Sequence, residues 1–214
     1  LIAILIYYRN EIQKIITFSP VGVSYLKLLV LASIPLPIFG LILVDYISLH
    51  MRNIETIAVM TIFFALVLYF ADFNRKGDKN FINCSLSIVI FIGLMQTLAL
   101  VPGVSRSGIV ISSALIAGFS RSDSIKIALL LSIPAILMAS TYQVIKIVEL
   151  GNIILVKEYI YGFILSFAFS YITIKYFIKT INMVTFTPYV IYRVILGLSL
   201  IHISEPTRRV FISY

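Results

Sequence analysis

Apolar runs of roughly 20 residues, the length that crosses the hydrocarbon of a bilayer, recur along this chain, and short charged stretches separate them. A water-soluble core cannot use that pattern, because it leaves almost no polar residue to cover its surface. Composition agrees: of 214 residues 60% are hydrophobic and 12% charged, with a mean hydropathy of +1.06, whereas about a quarter of a soluble domain is charged. The chain is therefore expected to be an all-α, polytopic membrane protein, a helical bundle.

The apolar runs are Leu1 to Tyr8, Leu26 to Val44, Ile54 to Ala71, Ile82 to Val101, Gly108 to Gly118, Ile125 to Val148, Tyr159 to Ile178 and a last helix from about Tyr189. Several are long enough to span. Pro35 and Pro37 fall inside the second and Pro134 inside the sixth, which predicts kinks that neighbouring helices tolerate by re-satisfying the freed carbonyls. Gly108 to Gly118 is too short to cross and follows a break at Pro102-Gly103. With Ile82 to Val101 it reads as a re-entrant hairpin, its irregular tip buried in protein at membrane depth.

Lys and Arg number 17 against 9 Asp and Glu. They lie between apolar runs and not in one patch interleaved with aromatics, so lipid headgroups are the expected anionic partner and nucleic acid is not. Arg9, Lys14 and Lys27 dominate the first loop, Arg75, Lys76 and Lys79 the third, and Lys175, Lys179 and Arg193 the fifth. These loops, and the hairpin's entry, are expected to be cytoplasmic. Cys84 has no second cysteine to pair with and reads as a packing residue. The opening at Leu1, inside a run too short to span, reads as an N-terminal truncation. The string Leu198 to Arg208 resembles the translation of a transposon-end sequencing adapter. One transmembrane domain is therefore expected over 1–197, with a non-native tail over 198–214 that includes His202.

Chemistry concentrates in Pro102-Gly103-Val104-Ser105-Arg106-Ser107-Gly108. An arginine between apolar segments is expensive, about 3 kcal/mol at a helix centre on insertion scales, so it calls for an anionic partner. Gly103 and Gly108 let the backbone turn and approach a ligand, Ser105 and Ser107 bring hydroxyls, and a helix starting near Gly108 aims its amides at the tip. This is a phosphate cradle, and the arginine fork suits phosphate. An ordinary interfacial turn, capped by Ser107 with Arg106 snorkelling to headgroups, accounts for the same spacing.

Gln96-Thr97-Leu98-Ala99-Leu100-Val101 followed by that string, then Ala117-Gly118-Phe119-Ser120-Arg121, resembles the second signature of the bacitracin-resistance undecaprenyl-diphosphatase family. Ser132-Ile133-Pro134 and Phe186-Thr187-Pro188-Tyr189-Val190-Ile191-Tyr192-Arg193 resemble its later helices. The resemblance implies a multi-pass hydrolase of the bacterial inner membrane. Such an enzyme converts undecaprenyl diphosphate to undecaprenyl phosphate and recycles the cell-wall lipid carrier. It implies an inverted repeat of two re-entrant hairpins, catalytic roles for Ser105 and Arg106, phosphate binding by Gly103, Ser107 and Gly108, and a divalent cation, Mg or Ca.

The family's other half-site, a Glu-x-x-x-Glu pair, a Ser-Ser-Thr-Gly string and a His, has no counterpart in these residues. Glu11, Asp45, Glu55, Asp72, Asp123 and Glu149 fall in loops or at helix ends and read as solvated, as does His50. This chain alone is accordingly expected to bind the diphosphate lipid poorly and not to hydrolyse it. Gln96 is read as a polar contact within the hairpin; Tyr192 and Arg193 either close the site or anchor the helix end at the interface. Ser112, Ser113, Ser140 and Thr141 read as close helix contacts. A transporter or lipid flippase, binding an anionic headgroup without cleaving it, uses the same broken helices and midplane arginine. An inactive gene product is the remaining alternative, and a histidine-dependent lipid phosphatase is disfavoured because no native-looking His follows Arg106.

Overall fold

The computed structural model describes residues 1–75, 77, 79, 84–149, 156–181 and 185–211, with side chains up to Lys146, from Ile160 and up to Ile203. In chain order the helices are α1 (Ile2–Tyr7), α2 (Arg9–Ile16), α3 (Pro20–Ser33), α4 (Pro35–His50), α5 (Ile54–Phe73), α6 (Leu86–Thr97), α7 (Arg106–Ile116), α8 (Arg121–Glu149), α9 (Val156–Ile181) and α10 (Thr187–Phe211). A 3-10 turn, Leu98–Leu100, extends α6. Among the described residues, four stretches are long and apolar enough to cross a membrane: Pro20–His50, Ile54–Phe73, Arg121–Lys146 and Ile160–Ile181. The chain is an all-α, multi-pass membrane protein.

Local chemistry sets the helix starts. Ser19 accepts from the Gly22 amide at 3.1 Å with Pro20 at the first helical position, so α3 begins six residues before the apolar run does. Asn53 caps α5 by accepting from the Thr56 amide at 2.7 Å. Pro35 interrupts the second run: α3 stops at Ser33 and α4 restarts on Pro35. Pro134, by contrast, lies within the continuous α8. The first expected loop is largely helical, since α2 carries Arg9, Glu11 and Lys14, and Glu11 pairs with Lys126 of α8 at 3.3 Å. Lys76, Asp78 and the expected start at Ile82 lie outside the described residues, as do the side chains of Glu149, Lys157, Glu158 and 204–214.

The core sits where α7 packs against α5, α6 and α8, with Ile109, Ala114, Leu115, Leu130 and Leu131 almost wholly buried. Helices α5 and α10 approach closely through small residues: Ala58 and Ala65 are fully buried, and a Cβ on Gly197 would lie 3.0 Å from the Ala58 carbonyl oxygen. Large apolar side chains point outward along the spans, among them Leu41, Phe63 and Phe169. That is the surface a bilayer solvates. Cys84, half-buried beside α6, has its thiol pushed up by burial.

Asp72 departs from the expectation of a solvated carboxylate. Only 7% exposed, it accepts from Arg121 Nε at 2.6 Å and Nη2 at 2.8 Å and from the Phe186 amide at 3.1 Å. It ties the end of α5 to the starts of α8 and α10, and those donors offset its burial. Ser112 and Ser113 are buried, their hydroxyls donating to the Gly108 and Val110 carbonyls. Ser140 and Thr141 are exposed, contrary to the expected helix contacts, because the end of α8 has left the bundle core.

Candidate functional site

The hairpin expected from sequence is formed by α6, the 3-10 turn and α7, joined by a tip over residues 101–105. Gly103 makes the tip possible. Its φ is +90°, a left-handed backbone that L side chains rarely adopt, and a Cβ there would sit 2.4 Å from the Ile57 carbonyl oxygen. The tip therefore lies directly against the first turn of α5. From that position the Gly103 carbonyl accepts from Arg193 Nη2 at 2.7 Å and from Thr61 Oγ1 at 3.4 Å. Gly103 builds the tip and is not among the residues lining either adjoining cavity.

Helix α7 starts at Arg106, two residues before the expected Gly108, because Ser105 is its cap. The Ser105 hydroxyl accepts from the Gly108 amide at 3.2 Å and lies 3.3 Å from Ser107 Oγ. Ser105, not Ser107, is the capping residue. The cap places both hydroxyls at the positive end of an 11-residue helix, where its free amides favour an anion.

The side chains divide between two sides of the tip. Ser105, Ser107 and Gly108 line a cavity of about 200 Å³ together with Arg193. Gly108 makes room for that arginine, since a Cβ on it would lie 3.2 Å from Arg193 Nη1. Arg106 instead lines a groove of about 490 Å³ between α4 and α8. Neither lining includes a carboxylate or an imidazole.

Arg193 and Tyr192, adjacent in sequence, separate in the structure. Arg193 reaches inward to the tip, whereas Tyr192 is 63% exposed and lines neither cavity. One residue advances a helix by about 100°, which is enough to turn neighbours to opposite faces. Gln96 is fully buried, its Nε2 3.5 Å from the Ala32 carbonyl on α3, so its contact lies outside the hairpin and away from both cavities. His50 is exposed and stacks on Tyr46.

Among the described residues no group of three or more His, Cys, Asp or Glu gathers where a metal ion could sit. Hydroxyls and guanidinium groups do not make a divalent-cation site. Their donors suit an anion.

Comparison with known proteins gives the family. A family model described as "Bacitracin resistance protein BacA" matches residues 1–199. An undecaprenyl-diphosphatase of Saccharophagus degradans is 38% identical over 206 residues, covering 92% of this chain and 77% of that protein. Another, of Aliivibrio salmonicida, is 36% identical over 210 residues, covering 94% and 79%. By the extent of these matches, the chain belongs to the bacitracin-resistance BacA family of undecaprenyl-diphosphatases.

Proposed function

We propose that this protein acts as a membrane-embedded hydrolase of undecaprenyl diphosphate in the bacterial cell membrane, with the tip of the α6–α7 hairpin as its phosphate site. The family supplies the reaction: water adds to the terminal phosphorus, the bridging P–O bond breaks, and inorganic phosphate leaves undecaprenyl phosphate behind. The observation that carries the site is the capped start of α7, which holds Ser105 and Ser107 beside Arg193 with Arg106 as the next residue. Two guanidinium groups flanking one helix N-terminus suit the charge of a diphosphate, and of the transition state in which it is redistributed.

Roles follow from position. The Arg106 guanidinium has no hydrogen-bond or ion-pair partner among the described residues and is free to receive the diphosphate. Ser105 and Ser107 offer hydroxyl donors, and the amides of the first turn of α7 complete the cradle. Arg193 orients the tip through Gly103 and contributes positive charge to the smaller cavity. The group that positions or activates water belongs to neither lining. A divalent cation, if it serves this reaction, takes ligands other than these residues.

In the catalytically active protein, Arg106→Ala is expected to lower phosphate release at least about a hundredfold, with Arg106→Lys intermediate because it keeps charge but loses the fork. Near-normal turnover by the alanine variant would overturn the assignment. A flippase reading is distinguished in the same assay, since it requires headgroup binding with no phosphate released.

A further inference from the structure

We propose that the groove between α4 and α8 holds the first isoprene units of the lipid substrate, so that Gly40, Ala135 and Ala139 set the enzyme's selectivity for the chain. The assignment rests on the diphosphatase reading and adds to it the place of the tail. The groove, of about 490 Å³, presents hydrocarbon on nearly all of its lining, and Arg106 is the charged residue on it. Such a slot does not suit a free phosphate, which would leave the apolar wall uncovered. It does not suit an uncharged hydrocarbon either, which would bury the guanidinium without a partner. It suits an amphiphile whose anionic head meets Arg106 and whose chain continues along the wall.

Small residues open the slot. Ala135 and Ala139 are one helical turn apart on α8, and Gly40 stands on the facing helix α4. A Cβ on Gly40 would meet only Leu100 Cδ2, at 3.7 Å, so the space beside it is free. Depressions repeated along a helix accept the methyl branches of a polyprenyl chain better than they fit a straight acyl chain. Leu41 and Tyr142, 71% and 51% exposed, form an outer lip through which the chain continues into the bilayer.

The test is photolabelling of the whole chain in vesicles with a farnesyl diphosphate analogue bearing a diazirine on its second isoprene unit. Label is expected on α4 and on the second half of α8. Excess farnesyl diphosphate should remove it, and a straight-chain alkyl diphosphate of equal length should compete less well. Gly40→Phe and Ala139→Phe, which fill the slot from opposite walls, should each reduce labelling about tenfold, the worth of one or two buried methylenes. Having two variants guards against one that fails to fold. Label spread over the lipid-facing helices, labelling unchanged in both variants, or equal competition by the straight chain would overturn the proposal. A diazirine farnesol probe separates the two readings: if it labels the groove as strongly as the diphosphate does, the headgroup role of Arg106 fails while the chain site stands.

Discussion

Gly103 and Gly108 carry more of the site than their lack of chemistry suggests. Gly103→Ala adds a Cβ 2.4 Å from the Ile57 carbonyl oxygen at a φ of +90°, and the backbone strain alone is worth about 1 to 2 kcal/mol. The tip must then leave α5, so a lower thermal midpoint and lost activity are expected together. Gly108→Ala separates the two effects. The new Cβ would lie 3.1 Å from Ser105 Cβ and 3.2 Å from Arg193 Nη1, at a backbone position any residue can adopt. The protein should therefore stay folded while Arg193 is pushed aside, and phosphate release by the catalytically active protein should fall about tenfold. An unchanged rate would mean that Arg193 needs no fixed position. Arg193→Leu should resemble Gly103→Ala rather than Arg106→Ala, because it leaves the Gly103 carbonyl with Thr61 alone, at 3.4 Å.

The elements around the tip are held by a group that sequence reading placed in solvent. Asp72 receives two hydrogen bonds from Arg121 and one from the Phe186 amide, and Phe186 immediately precedes the helix that delivers Arg193. Asp72→Ala leaves a partly buried guanidinium, 18% exposed, without its counter-charge. A loss of about 3 to 5 kcal/mol is expected, measured as thermal unfolding of the detergent-solubilised protein. Asp72→Asn, which can still accept from Phe186, should lose less; equal losses would assign the effect to the charge alone. The hairpin was legible in the sequence because a run too short to span after Pro-Gly has few other ways to exist in a bilayer. The partner of Asp72 was not legible, since Arg121 and Phe186 lie 49 and 114 residues away and no local period connects them. Gln96 and Ala32, 64 residues apart, escaped for the same reason.

At the scale of the molecule, a chain built of apolar spans gathers its polar chemistry at one break, and that break faces two ways. Ser105, Ser107 and Arg193 share one cavity while Arg106 opens into another, a division that a linear motif cannot express because adjacent residues on a helix start diverge. Both sides are cationic or neutral. Phosphoryl transfer also needs a group that positions the attacking water, a task that carboxylates or imidazoles commonly perform, and neither lining presents one. The 214-residue chain expressed by itself is therefore expected to retain weak, salt-sensitive affinity for diphosphate lipid and to release no phosphate above background. The check is inorganic phosphate release from farnesyl diphosphate by the purified chain, with binding followed in parallel at low and high salt. Turnover comparable with that of an intact relative would require a base that neither cavity shows. Binding that is lost in Arg106→Gln, with no turnover in either protein, would mean that the hairpin tip recognises the headgroup and that the base comes from elsewhere.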